Sequence, residues 1–144
     1  RDLQQFALKC MNFRFRSAAR AVTLFYDRML APSGVRSTQF SILIVLQGFG
    51  PQSVQDLAHW LEMDRTTLSK NLKPLMARNL VEQHSGTDRR KRMLGLTEEG
   101  RNTLDQALPL WKQAQQTVEE NLGEAAQTMR QRLKKISRIR PIDE

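Results

Sequence analysis

The chain has 144 residues, a length typical of one domain, and its single cysteine excludes both an intrachain disulfide framework and a metal site built from several cysteines. Lys and Arg number 23 against 15 Asp and Glu, so the formal net charge is +8. The longest apolar run, residues 42–46, is far shorter than the roughly 20 residues that a membrane-spanning helix needs. A lone thiol is typical of a reducing compartment, so we expect a cytoplasmic protein without a membrane span.

Apolar residues spaced three and four apart predict one long first helix over residues 3–30, which the sequence 31–34 (APSG) ends. Ser37 is predicted to cap a second helix over residues 38–47, whose apolar run is expected to be fully buried.

Two short helices follow. Ser53 and Asp56 have the spacing of a capping box and predict a helix that ends near Leu61. Asp64 is a second candidate N-cap, for a helix that continues to about Arg78. Short helices joined by a tight turn indicate a helix-turn-helix.

Residues 80–84 and 93–96 have the character of two strands around a basic turn, which predicts a β-hairpin, or wing. Thr97 is expected to cap a helix that reaches about residue 121, and a last helix is expected over residues 124–139. The predicted fold is therefore mainly α-helical, with six helices and a small β-hairpin wing.

The positive charge is concentrated in the middle of the chain. Residues 64–92 hold 8 basic and 3 acidic residues, whereas residues 1–63 hold 7 and 4, and residues 93–144 hold 8 of each. A local basic patch indicates a polyanionic partner, most often nucleic acid. The alternative interpretation is an ordinary solvated charged face.

The helix that begins after Asp64 has one apolar and one polar face. At about 100° per residue, Leu68, Leu72, Leu75 and Met76 share the side expected to face the core. The polar side carries hydroxyl and cationic groups, which suit the base edges of a DNA major groove. The predicted DNA contacts on this helix are Arg65, Thr66, Thr67, Ser69, Lys70 and Lys73.

The predicted wing has the highest local density of positive charge in the chain. Four cations in one hairpin loop repel one another, so they make poor sense as fold stabilisation, whereas an Arg suits the negative potential of a narrow minor groove. Asp88 is spaced to orient Arg90 across the turn. The predicted DNA contacts of the wing are Asp88, Arg89, Arg90 and Arg92.

No catalytic constellation is evident. His59 and His84 stand 25 residues apart, and the sequence has no glycine-rich phosphate loop and no paired-carboxylate motif. We therefore expect neither an enzyme nor a resident metal or cofactor.

From about residue 8 to the last helix, the chain resembles the MarR family of bacterial transcriptional regulators. The matching segments are 13–23 (FRFRSAARAVT), 37–40 (STQF), 54–58 (VQDLA), 64–68 (DRTTL), 75–81 (LMARNLV), 88–90 (DRR) and 96–100 (LTEEG). The last three, in this order and spacing, are quite specific to the family. Asn79 stands where the family usually has Gly, and Asn also tolerates the left-handed conformation of a helix C-cap.

The resemblance implies one unit over residues 1–144 that forms a homodimer. Residues 1–36 and 104–144 would supply the dimerisation helices, and residues 37–103 the winged helix-turn-helix lobe. It implies a repressor of a pseudo-palindromic DNA site, with the helix after Asp64 in the major groove, Arg90 in the minor groove and Ser53 on a phosphate.

The resemblance also implies release from DNA by a small aromatic or anionic effector, for which Arg16 and Arg20 are candidate contacts. One branch of the family senses organic hydroperoxides through a cysteine directly before a Phe. Here Asn12 precedes Phe13 and the cysteine is Cys10, so we expect a buried packing residue. The alternatives are a redox switch at Cys10 and a winged-helix module that binds protein or RNA.

Overall fold

A computed structural model of the chain describes residues 2–85 and 92–141. Two 3₁₀ turns, Ala31–Ser33 and Gly123–Ala125, join helices. The described helices are α1 (Asp2–Lys9), α2 (Met11–Leu30), α3 (Ser37–Phe49), α4 (Val54–Leu61), α5 (Arg65–Ala77), α6 (Glu98–Leu122) and α7 (Ala126–Ile136), and the strands are β1 (Gln52–Ser53), β2 (Val81–Ser85) and β3 (Arg92–Leu96). The predicted mainly helical fold with a hairpin is confirmed.

The prediction of one helix over residues 3–30 was wrong, because the helix breaks at Cys10. Cys10 has extended backbone, with φ of −66° and ψ of 111°, and its Sγ accepts a hydrogen bond from the Phe13 N–H at 3.4 Å. Cys10 therefore caps α2. Apolar spacing cannot reveal such a break, since it continues from one helix into the next.

The core is built around α3. Its side chains Phe40, Ile42, Leu43 and Leu46 are buried, and the helix contacts α2, α4, α5, α6 and β3. The predicted N-cap was wrong by one residue: Arg36 is the cap, and its N–H donates to the side chain of Gln39 at 3.0 Å. Ser37 begins the helix instead, because its N–H donates to Asp27 Oδ1 at 2.7 Å.

The three strands form one antiparallel sheet in the order β1-β3-β2. The hairpin pairs Val81 with Leu96 and Ser85 with Arg92. The sequence did not predict the two-residue strand β1, in which Ser53 pairs with Met93. This pairing attaches β3, near the turn end of the hairpin, to the start of α4.

A close junction joins the hairpin to α6. The Thr97 hydroxyl accepts from the Gly100 N–H at 2.9 Å and donates to the Asn79 carbonyl at 2.7 Å, so Thr97 is the predicted N-cap. Asn79 has a φ of +57°, the left-handed conformation expected there. The junction leaves no room at Gly100, where an added Cβ would lie 2.1 Å from the Leu80 carbonyl oxygen.

Many apolar side chains of the first and last helices lie on the surface. Neither α1 nor α7 buries any residue: Phe6 of α1 is 70% exposed and Leu133 of α7 is 44% exposed. Soluble monomers rarely expose a large contiguous apolar patch, so this surface indicates a partner.

No single helix among the described residues is long and apolar enough to cross a membrane. Met11–Ser33 and Ser37–Phe49 meet the criteria of length and composition only as a pair bent by 68°.

We expect Gly100→Ala to lower the free energy of unfolding by about 3 kcal/mol or more, because the new methyl group must displace backbone at Leu80. Gly48→Ala is the matched control: nothing lies within 4 Å of its added Cβ, so it should gain about 0.5–1 kcal/mol of helix propensity. Urea denaturation measures both, and a Gly100→Ala midpoint equal to that of the wild type would contradict the junction described here.

Candidate nucleic-acid interface

The polar face of α5 is exposed because its other face is fixed in the core. Leu68, Leu72 and Leu75 are buried, as predicted, whereas Met76 is 39% exposed and lies at the edge of that face. Burial of three leucines orients the whole helix, so the intervening side chains face solvent. Five of the six predicted contacts line one shallow depression, namely Arg65, Thr66, Ser69, Lys70 and Lys73.

The sixth predicted contact, Thr67, lies outside this depression and serves the helix cap. Its N–H donates to Asp64 Oδ1 at 2.7 Å and its hydroxyl donates to Oδ2 at 2.9 Å. These hydrogen bonds, chiefly that from the backbone N–H, lower the pKa of the Asp64 carboxyl. Because the Thr67 hydroxyl already donates to Asp64, its oxygen can only accept a hydrogen bond from another partner.

The turn between α4 and α5 depends on a residue that the sequence analysis did not single out. Glu62 ends α4 in the left-handed conformation, with φ of +53°, and the Met63 N–H donates to the Ala58 carbonyl at 3.0 Å. This position carries neither Gly nor Asn, the residue types that favour a left-handed backbone, so the sequence did not predict this conformation. The turn sets how α5 follows α4.

Ser53 caps α4, where its hydroxyl oxygen accepts from the Asp56 N–H at 3.1 Å. The predicted capping residue is confirmed. Since Ser53 also belongs to β1, a hydroxyl, a helix N-terminus and the turn end of β3 meet at one place. A helix N-terminus of this kind favours an anion.

The structure describes only part of the predicted wing contacts. Arg92 begins β3 opposite Ser85 and is exposed. Asp88, Arg89 and Arg90 lie outside the described residues.

The proposed effector and redox residues lie on the first helices. Arg16 and Arg20 are exposed on α2, and neither lines the depression on α5. Cys10 is exposed, so the interpretation of a buried packing cysteine was wrong for the single chain.

A second basic segment was missed because charges were summed over residues 93–144. Within that stretch, residues 126–140 contain six Lys or Arg and no acid. One of them, Arg130, pairs with Glu119 at 2.6 Å. A shorter window would have separated this cationic segment from the acidic residues before it.

Comparison with known proteins finds that the chain is similar to transcriptional regulators. The sequence profile described as the MarR family matches residues 33–91, which contain α3, α4, α5 and the first wing strand. The HTH-type transcriptional repressor NicR of Pseudomonas putida is 31% identical over 99 residues, covering 68% of this chain and 63% of NicR.

A second relative is the HTH-type regulator YwoH of Bacillus subtilis, 28% identical over 82 residues, covering 57% of this chain and 60% of YwoH. The matches thus span under two thirds of either relative. The crystal structure of the M. tuberculosis transcriptional regulator MosR with DNA is similar over more of its length: TM-score 0.82 and 34% identity, covering 90% of this chain and 94% of MosR.

Proposed function

We propose that this chain, which belongs to the MarR family, is a sequence-specific DNA-binding transcriptional repressor. The observation that carries the proposal is the exposed face of α5, where two lysines, an arginine and two hydroxyls line one depression. Such groups donate to guanine or exchange hydrogen bonds with other base edges. NicR is named a repressor, and MosR was crystallised with DNA.

Each part of the interface has a proposed role. The α5 face reads base edges in the major groove, with Thr66 and Lys70 nearest the centre of its polar side. Ser53 and the N-terminus of α4 hold a backbone phosphate. The wing, with Asp88 orienting Arg90, reaches the minor groove, and Arg89 and Arg92 are its further DNA contacts.

The proposed assembly is a homodimer on a pseudo-palindromic site. Residues 1–36 and 104–144 would supply the dimer contact, because their helices expose the apolar side chains that a second copy would cover. Residues 37–103 would form the DNA-binding lobe, and two-fold symmetry would place one lobe on each half-site.

We propose that a small aromatic or anionic effector relieves repression, with Arg16 and Arg20 as candidate contacts on α2. We assign the protein no catalytic role and place it in the cytoplasm, where bacterial duplex DNA is found.

A binding titration on operator and scrambled duplex, at several salt concentrations, tests the two DNA contacts separately. Lys70→Ala should weaken operator binding much more than scrambled binding, because a base contact discriminates by about 1–3 kcal/mol. Arg90→Ala should weaken both DNAs alike, since the minor-groove pattern is degenerate. It should also make the log–log salt slope shallower, by about 0.9 for each phosphate that the variant no longer neutralises.

Lys112→Ala, an exposed lysine of α6, is the matched control and should bind both DNAs like wild type. Melting temperatures should barely change, since the altered side chains of α5 and α6 are exposed. An equal loss on both DNAs for Lys70→Ala would make Lys70 a phosphate contact. Single-stranded RNA bound more tightly than either duplex would favour an RNA-interaction module instead.

Sedimentation equilibrium at micromolar concentration tests the assembly. We expect a dimer of the 16.7 kDa chain that persists at high salt, because the proposed contact is apolar. Phe6→Ser should weaken the dimer, since Phe6 is a large exposed apolar side chain of α1. A monomer at that concentration, with wild-type sequence, is the result that would refute the assembly.

A second candidate function is thiol-based regulation, favoured by the exposure of Cys10 at the N-terminus of α2. Titration with an organic hydroperoxide, followed by operator binding, decides it. Loss of binding that thiol reverses, and that Cys10→Ser lacks, would establish the redox switch. If wild type and Cys10→Ser retain binding equally, Cys10 serves only as a cap.

A further inference from the structure

A proline lies inside α5, the helix that carries the proposed base contacts. Pro74 has no N–H, so it cannot donate to the Lys70 carbonyl, and its ring crowds the preceding turn. The last turn of α5 is therefore less firmly coupled to the part that carries Thr66 and Lys70. Burial of the leucine face holds the helix on the core, but apolar contacts are not directional, so its tilt and rotation depend on other interactions.

Two polar contacts hold α5, one on each side of Pro74. Before the proline, the Thr38 hydroxyl of α3 donates to Asn71 Oδ1 at 3.1 Å. After the proline, the guanidinium of Arg78, the C-cap of α5, donates to the Gly34 carbonyl at 2.6 Å. Asn71 and Arg78 are about 10 Å apart along the helix axis, so together they resist both a tilt and a rotation of α5.

The acceptor for Arg78 is itself fixed. Gly34 lies between Ser33 and Val35, which are both buried, and its N–H donates to the Ala31 carbonyl at 3.0 Å. The 3₁₀ turn that Gly34 ends packs against α2 and α6. Gly34 has a φ of +80°, and an added Cβ would lie 3.0 Å from Arg78 Nη2, so glycine suits both the left-handed backbone and the close guanidinium.

The start of α3, which carries Thr38, is fixed to α2 as well. The Ser37 N–H donates to Asp27 Oδ1 of α2 at 2.7 Å, and Phe40 is buried in the core. Both contacts of α5 therefore end on the junction between α2 and α3, residues 31–38. This junction continues directly from the helix α2 that is assigned to the dimer contact.

We propose that Arg78 and Asn71 are positioning residues, which fix the angle of α5 to the dimerisation helices and so set the half-site spacing that the dimer accepts. One base pair added between two half-sites separates them by about 3.4 Å and turns them by about 35°. A firmly held α5 cannot follow this displacement, whereas a loosened α5 can. The effect on spacing rests on the proposed function, whereas the hold on α5 does not.

Selection from a library of duplexes tests the spacing. The library carries a random segment of about 30 base pairs, or about three turns of DNA, so no operator has to be known in advance. We expect wild type to enrich an inverted repeat of one spacing, preferred roughly tenfold over spacings one base pair longer or shorter. The double variant Arg78→Lys with Thr38→Val should enrich the same half-site bases but prefer that spacing by about threefold or less, because both directional contacts are weakened.

These two substitutions keep the net charge, which separates positioning from attraction to phosphate. Arg101→Lys, which changes an exposed arginine of α6, is the matched control and should keep the wild-type spacing. If Arg78 served only as a phosphate contact, Arg78→Lys would keep the wild-type spacing, and Arg78→Gln would weaken binding at every spacing alike, with a shallower salt slope. That result overturns the proposal. Arg78 is exposed, so Arg78→Lys alone carries the test if the double variant does not fold.

Spin-label distances in the protein without DNA give a second readout. A nitroxide attached at Ser69→Cys, in a Cys10→Ser background, reports the separation of the two α5 helices of a dimer. We expect one narrow distribution, which Arg78→Lys with Thr38→Val broadens and Arg101→Lys leaves unchanged. An unchanged distribution in the double variant overturns the proposal, as does the absence of any distance between labels, which would mean a monomer. If the distribution broadens as expected but wild type enriches no duplex, the proposed function fails and the hold on α5 stands.

Discussion

Burial of α3 is the constraint on which the rest of the lobe depends. This helix contacts α2, α4, α5, α6 and β3, so every neighbouring element is oriented by the side chain it packs against α3. Truncating a buried leucine such as Leu43 would remove packing against several elements at once, at a cost of about 2–5 kcal/mol. That is a large fraction of the stability of a small domain, whereas the exposed α5 side chains contribute little to it. Substitutions on the polar face of α5 therefore leave the core intact.

The sequence revealed the elements whose apolar pattern reflects burial. Leu68, Leu72 and Leu75 of α5 repeat with a helical spacing because they face the core. Apolar spacing does not locate the ends of a helix where the apolar side chains are exposed. Apolar residues lie on both sides of Cys10 although α1 and most of α2 are exposed in the single chain, so the break could not be seen. The displaced cap of α3 depends on Asp27, a tertiary partner that no local pattern reveals.

The outward direction of the α5 side chains was predictable from the sequence, because burial again sets the pattern. Five of the six predicted α5 contacts share one depression, because their outward direction follows from the leucine face. Thr67 differs because a helix cap and a base contact favour the same residue type, and here the cap uses the hydroxyl as donor. The sequence could not predict that Trp60 of α4 lines a groove with Lys134, Arg138 and Arg140, because α4 and the end of α7 are about 80 residues apart in the sequence and only the fold brings them together.

The first helix of the helix-turn-helix is therefore more than a spacer for α5. Its N-cap, Ser53, pairs with the wing through β3, and its C-terminal turn at Glu62 sets the start of α5. Its outer residues, including Trp60, line a groove together with Lys134, Arg138 and Arg140. A displacement of α4 would reach the Ser53 hydroxyl, the wing and α5 together, because Ser53 caps α4 and pairs with β3, and the turn at Glu62 leads into α5.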